Sequence, residues 1–314
     1  MTSSASRLEA RRTADGSFSL FSPEVGEGFH SGRGALAEAR SKFVAPAALE
    51  RWPRGSYLRV LDVCFGTGSN SAALLEACAS RGLSLQWWGL ELDRDPLRLA
   101  LADDGFCRQW QPEALAVLQQ LPAADTAPDS HWSDPQLGQG QLLWGDARLR
   151  LRELLRSQQG QLDLVLMDAF SPSRSPQLWT VEFLAGLASL LQPQGRLLTY
   201  CSAAAVRRAL QLAGLQIASI SGPSGLQAHQ QDWSGGTAAS PTPLNGAPLL
   251  RPLSQMEQEH LSTNAAEPYR DPTGDADRST ILRERQRAQQ NAMANGAVEP
   301  TSSWRRRWGL ENHR

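Results

Sequence analysis

Acidic residues recur in this chain at the ends of apolar runs, and the first of them precedes a glycine turn. Residues 60–70 read Val-Leu-Asp-Val-Cys-Phe-Gly-Thr-Gly-Ser-Asn. A strand-forming run carries Asp62 at its carboxyl end and enters a turn bracketed by Gly66 and Gly68, where bare backbone can approach a ligand. Ser71 stands where the third glycine of a dinucleotide site would fall, and no Gly-x-x-x-x-Gly-Lys-Ser/Thr follows, so pyrophosphate and triphosphate loops are excluded. The turn Phe65-Gly66-Thr67-Gly68, with Asn70 behind it, suits the zwitterionic amino-acid end of S-adenosylmethionine.

Three further acids follow in order. Glu91 closes the run that starts at Leu85, roughly 20 residues past the glycine turn, the distance at which a carboxylate meets ribose hydroxyls. Asp146 ends Gln141-Leu-Leu-Trp-Gly-Asp and is placed to receive an adenine amino group. Asp168 ends Leu162-Asp-Leu-Val-Leu-Met-Asp. Taken singly, each acid also reads as a helix N-cap or a solvated turn residue, Asp146 and Asp93 above all. Taken together, four acid-closed runs each followed by helical material predict an α/β fold, a Rossmann-like doubly wound and mostly parallel sheet with an adenosyl cofactor at its switch point.

The 314 residues exceed the need of one such domain, since the motif-bearing core requires only about 200. The expected division is a lead segment over 1–57 packing on the cofactor mouth, the catalytic domain over 58–240, and a polar, arginine-rich extension over 241–314, disordered in part. No apolar run approaches the roughly 20 residues that span a bilayer, and Met1 to Ala10 lacks a secretory stretch, so a cytoplasmic protein is expected. Cys64, Cys78, Cys107 and Cys201 lack metal-ligand spacing, and no metal is expected. Net charge is -1, yet Lys42 is the only lysine, and arginines gather at 278–287 and 305–307 beside Trp304 and Trp308. Such clusters grip phosphates and stack on bases, or simply solvate a helix.

Along the chain, residues 1–12 read as frayed, 34–43 as a helix and 113–121 as a helix inside a loop-like insertion over 104–141. Helices are also expected near 179–191, 203–213 and 277–292. A short strand is expected at 236–239 within a long loop over 222–248, and no core material after Pro252.

Four segments together resemble the methyltransferase module of the tRNA-modification enzyme MnmC: Thr13-Ala-Asp-Gly-Ser17, Phe29-His-Ser-Gly-Arg-Gly-Ala-Leu-Ala-Glu-Ala-Arg40, Phe65-Gly-Thr-Gly-Ser-Asn70, and Asp168-Ala-Phe-Ser-Pro-Ser-Arg-Ser-Pro-Gln-Leu-Trp-Thr180. The resemblance covers about Thr13 to Ser240. It implies a class I S-adenosylmethionine-dependent methyltransferase acting on the amine of 5-aminomethyl-uridine, often 2-thiolated, at the tRNA anticodon wobble position, downstream of the enzymes that make that precursor. It further implies a stand-alone form without a flavin oxidase domain. It assigns Gly66, Thr67, Gly68 and Asn70 to the cofactor loop, Glu91 to the ribose, Asp146 to the adenine and Asp168 to the active site. Departures are Cys64 where the family usually has glycine, Ser69 where it has leucine, Gln177 where an acid is common, and Phe29 where a tyrosine often closes over the cofactor. The family's basic run near the end of the core is thin here, with His229 and no arginine between Arg208 and Arg251.

The chemistry implied is in-line transfer to a neutral amine held about 3 Å from the methyl carbon. An alkylamine is mostly protonated at neutral pH, so the site must also take its proton. Asp168 is expected to orient the amine, with its role as base left open, and the Phe170-Ser-Pro172 turn to supply an apolar wall and backbone carbonyls for a flipped base. Alternatives are a methyltransferase or aminopropyltransferase acting on a small amine, and a non-catalytic RNA-binding relative. The intact set Asp62, Glu91, Asp146 and Asp168 speaks against the last.

Overall fold

A computed structural model describes residues 8–31, 34–122, 127–221 and 235–310. Strands β1 (Glu9–Arg12), β2 (Phe18–Ser22) and β3 (Glu27–Gly28) form a small antiparallel sheet. The large sheet contains β4 (Tyr57–Val63), β5 (Ser84–Glu91), β6 (Asp129–Asp134), β7 (Gly138–Trp144), β8 (Leu162–Met167), β9 (Leu191–Thr199), β10 (Gln216–Ile220), β11 (Thr237–Ser240) and β12 (Leu250–Arg251). Its order is β12-β10-β11-β9-β8-β4-β5-β7-β6.

Strands β9, β8, β4, β5 and β7 run parallel, while β11 is inserted antiparallel between β9 and β10. The chain moves outward from β4 to β7, then returns to the other side of β4 to lay down β8. The switch point therefore falls between β4 and β8, where open α/β sheets bind their ligands. Both faces of the sheet are covered. Leu58, Val60, Leu85 and Trp87 pack with the helices Ser69–Arg81 and Pro112–Gln120 on one side, and Leu61, Val63 and Leu90 with Ala147–Ser157, Val181–Leu190 and Ala204–Leu212 on the other. Burial on two faces explains why these strands read as continuous apolar runs.

Several expectations need correction. Residues 9–12 are not frayed: they form β1, whose exposed, charged sequence gave no burial signal. The insertion is not only a helix and a loop. It includes β6, an antiparallel edge strand on β7 whose polar residues face outward while Ser130 and Trp132 face in. The helix expected at 34–43 runs over residues 35–47 and widens into a π-helical turn over Ala39–Val44. The helices expected near 277–292 and the strand at 236–239 form as Arg278–Ala294 and β11.

The largest correction lies after Pro252, where core material was not expected. Met256, Ala266, Tyr269, Ile281 and Trp304 are buried, and Tyr269 and Ile281 belong to the main core. A buried ion pair joins Arg207 to Glu257 (3.0 Å); Arg207 also donates to Thr237 and Ser219, and Glu257 also accepts from Ser219, Arg251 and Ser254 N. These residues are isolated along the chain, so no periodicity advertised them. His229 and the rest of residues 222–234 of the long loop lie outside the described residues. No helix among the described residues is long and apolar enough to cross a membrane.

Candidate functional site

A cavity of about 530 Å³ opens at the carboxyl ends of β4, β5 and β8. Its floor is the turn after β4. Gly66 (φ 57°) and Gly68 (φ 84°) both take left-handed backbone, and a Cβ on Gly66 would press on the Phe29 ring at 3.4 Å. A Cβ on Gly68 would lie 2.7 Å from Phe65, which packs edge-on against Trp87. Glycine is thus favoured at both positions for conformation, and at Gly68 for space as well. Cys64 is also left-handed (φ 64°), a conformation that favours glycine. Burial, with the charges of Glu91, Asp168 and Asp62, pushes the Cys64 thiol well up, so no thiolate forms beside the site.

The Glu91 carboxylate is held by the backbone. Oε2 accepts from Gly66 N (2.7 Å), and Oε1 from Leu92 N (2.7 Å) and Asp93 N (2.9 Å), tying the end of β5 to the glycine turn. Burial raises its pKa, and these three bonds only partly offset that. Asp168, at the end of β8, accepts from Asn70 Nδ2 (2.7 Å) on the first turn of the helix behind the loop. Burial and the charge of Glu38 push its carboxyl well above the usual range, against the Asn70 bond.

The predicted residues divide into three groups. Phe29, Gly66, Glu91 and Asp168 line the cavity. Asp62, Phe65, Thr67, Gly68 and Asn70 lie behind it: Asp62 accepts from Ser71 Oγ (2.6 Å), which accepts from Trp87 Nε1, and Thr67 Oγ1 meets Ser69 Oγ at 2.9 Å. Asp62 Oδ1 is buried without a partner, and burial pushes that carboxyl up to about 7. Asp146 does not line the cavity. It caps the helix Ala147–Ser157 through Arg148 N (2.9 Å) and pairs with Arg148 Nη2 (2.8 Å), which outweigh burial and hold its pKa low. Of its two sequence readings, the N-cap is the one its carboxylate follows here.

The loop after Asp168 also differs from expectation. Phe170 supplies the apolar wall, edge-on to Phe29 at 5.1 Å. Three backbone carbonyls of the loop accept from within the protein: Tyr200 Oη donates to Ala169 O (2.9 Å), Trp179 Nε1 to Phe170 O (2.7 Å), and the amides of Arg174 and Ser175 to Ser171 O. Glu27, His30, Glu38 and Tyr200 were missed as lining residues. Glu38 and His30 lay inside the Phe29–Arg40 motif, which was the available signal. Burial keeps His30 neutral, with a pKa of about 4.

These residues fit S-adenosylmethionine: glycine backbone keeps the floor open, Glu91 is fixed at a strand end, and several carboxylates line the cavity, suiting a cationic cofactor. A family profile described as S-adenosyl-L-methionine-dependent methyltransferase matches residues 117–226. The bifunctional protein MnmC of tRNA 5-methylaminomethyl-2-thiouridine biosynthesis is 29% identical over 218 residues in Burkholderia multivorans, covering 67% of this chain and 32% of the relative. The Pseudomonas savastanoi protein of that name is 31% identical over 208 residues, covering 62% and 30%. This chain thus spans about a third of the length of the curated relatives it matches. The crystal structure of MNMC2 from Aquifex aeolicus superposes with a TM-score of 0.72 at 27% identity, over 92% of this chain and 87% of that one. Fold, site and profile define a class I S-adenosylmethionine-dependent methyltransferase. Within that class, the chain is similar to the methyltransferase portion of MnmC and to MNMC2 from Aquifex aeolicus.

Proposed function

We propose that this protein methylates the exocyclic amine of 5-aminomethyl-uridine, with or without 2-thiolation, at the tRNA wobble position, giving 5-methylaminomethyl-uridine. The observation that carries the reading is Asp168, held by Asn70 in the same cavity as the Glu91 loop. The likeness to MnmC over its methyltransferase portion supports the choice of nucleoside.

When bound, S-adenosylmethionine supplies a methyl group on a sulfonium, open to in-line attack by an amine lone pair. The protein's task is then to bind an alkylammonium, remove one proton and aim the lone pair. Asp168 accepts a hydrogen bond from the amine, and its raised pKa brings it nearer to the working range of a proton acceptor. Asn70 fixes the carboxylate's direction. Phe29 and Phe170 supply apolar edges for a base taken out of its stack. Gly66, Thr67, Gly68 and Asn70 are assigned to the cofactor loop and Glu91 to the ribose, with Asp62 and Phe65 supporting the loop. Asp146 serves the adenine side only if its carboxylate is shared between Arg148 and the base. A tRNA substrate implies action in the cytoplasm, after the enzymes that install the aminomethyl group.

The test is transfer of labelled methyl to unmodified tRNA and to tRNA carrying 5-aminomethyl-uridine, read by nucleoside mass spectrometry. A methylaminomethyl nucleoside formed only from the second tRNA is expected. Transfer to neither, with the cofactor still bound, would redirect the search to small amines.

A further inference from the structure

The motif Phe29–Arg40 contributes more than Phe29 to the cavity. Glu38, from the first turn of the helix over residues 35–47, also lines it, together with Asp168. We propose that Glu38 is a substrate-binding residue which, with Asp168, holds the cationic primary amine of the incoming nucleoside. This rests on the amine-methyltransferase reading above.

An anchor elsewhere in the lead segment fixes where Glu38 stands. The Asp15 carboxylate accepts from Ser17 N (3.0 Å), Ser17 Oγ (2.6 Å), Thr13 Oγ1 (2.8 Å) and Ala37 N (3.3 Å). Ser17 Oγ in turn accepts from Ala35 N (2.8 Å). Gly34 (φ 142°) passes so near that a Cβ would overlap the Asp15 carboxylate. The Thr13–Ser17 motif thus holds the amides of Ala35 and Ala37 in the first turn of the helix, and Glu38 follows, its N–H bonded to Gly34 O. Both lead-segment motifs acquire a purpose: they aim one carboxylate.

The other acids lining the cavity differ in their commitments. Glu91 is taken by three backbone amides, and Glu27 by Ser171 N (3.1 Å) and Ser171 Oγ (2.8 Å). Glu24 is exposed at the rim, and Asp93 accepts from Asp95 N (3.0 Å). Among the described residues, the Glu38 carboxylate takes one hydrogen bond, from Ser31 N (3.0 Å), and forms no ion pair with an arginine or lysine. Its charge is felt at Asp168, which burial already disfavours as an anion. Two acids that repel one another in a partly buried cavity are relieved by a cation between them. An alkylammonium offers that charge and three donors, whereas a neutral hydroxymethyl group offers one donor and no charge.

The experiment compares Glu38→Gln and Glu38→Asp with the natural protein, measuring kcat and KM for tRNA carrying 5-aminomethyl-uridine. Binding of tRNA carrying the neutral 5-hydroxymethyl-uridine and affinity for S-adenosylmethionine are measured alongside. We expect Glu38→Gln to raise KM for the aminomethyl substrate about 10–100-fold, the range of a lost hydrogen bond to a charged group. Cofactor affinity and binding of the hydroxymethyl tRNA should be unchanged, and Glu38→Asp should recover part of the loss. An unchanged KM, equal weakening of both tRNAs, or a parallel loss of cofactor binding would each overturn the proposal. Failure of the natural protein to methylate aminomethyl-tRNA would instead overturn the underlying reading, and this proposal with it.

Discussion

The two segments that flank the main domain treat their charges in opposite ways. Glu27, Phe29, His30 and Glu38 of the lead segment line the cavity, whereas among the described residues none after Tyr200 does. The arginines of the C-terminal segment, which resemble a nucleic-acid grip in the sequence, are largely engaged within the fold. Arg278 donates to Ser173 O (3.0 and 3.2 Å), bracing the loop after Asp168, and Arg270 pairs with Glu182 (2.7 Å). Arg285 covers the Tyr269 ring at 4.4 Å and donates to two backbone carbonyls, and Arg307 pairs with Glu259 (2.8 Å). Local charge density therefore says less about function than an account of which partners each charge has.

If the C-terminal segment is structural, its buried pair should matter most to stability. Glu257→Ala leaves Arg207 buried without its partner and should lower unfolding free energy by about 3–5 kcal/mol in urea titrations, with activity per folded molecule retained. Unchanged stability would move the segment back to the periphery.

Asp62, beneath the glycine turn, offers a pH-dependent test. Burial raises its carboxyl to about 7, the Ser71 hydrogen bond opposing and the Glu91 charge adding. A raised folded-state value contributes stability that is complete below the unfolded value near 3.8 and is lost as pH rises to about 7. The stability of the natural protein relative to Asp62→Asn should therefore fall by at most about 4 kcal/mol between pH 4 and 7, then level off. A pH-independent difference would mean that Asp62 keeps an ordinary pKa.

On the N-terminal side, Gly34→Ala forces a Cβ toward Asp15 at a left-handed φ and should cost about 1–3 kcal/mol. A smaller effect is expected from Cys64→Gly, which relieves left-handed strain but frees the unfolded chain. Stability should rise by no more than about 1 kcal/mol. A loss larger than that would show that Cys64 packing outweighs its backbone strain.

The sequence made β4, β5, β7 and β8 legible because strands buried on both faces are written as apolar runs, and each ends in or near an acid at the sheet's binding edge. It did not reveal β1 or β6, whose pairing depends on backbone hydrogen bonds that polar side chains leave unmarked. Phe29, Gly66, Glu91 and Asp168 could be read from motif and spacing. Glu38 could not be told from its helical neighbours, because its direction depends on the Asp15 clamp more than twenty positions away. Tyr269, Ile281 and Trp304 stayed hidden for a similar reason, since each fills a core gap set by distant chain.

The most direct test of the account, in which Glu91 serves the cofactor and Asp168 the amine, is to measure S-adenosylmethionine affinity and single-turnover methyl transfer side by side in Glu91→Gln and Asp168→Ala. Asp168→Ala should keep cofactor affinity within a few-fold while transfer at saturating cofactor falls by about a thousandfold, the scale of a lost acid–base group. Glu91→Gln should weaken the cofactor about tenfold or more, with transfer largely restored at saturation. Parallel loss of affinity and transfer in Asp168→Ala would make that residue a cofactor ligand and contradict the assignment.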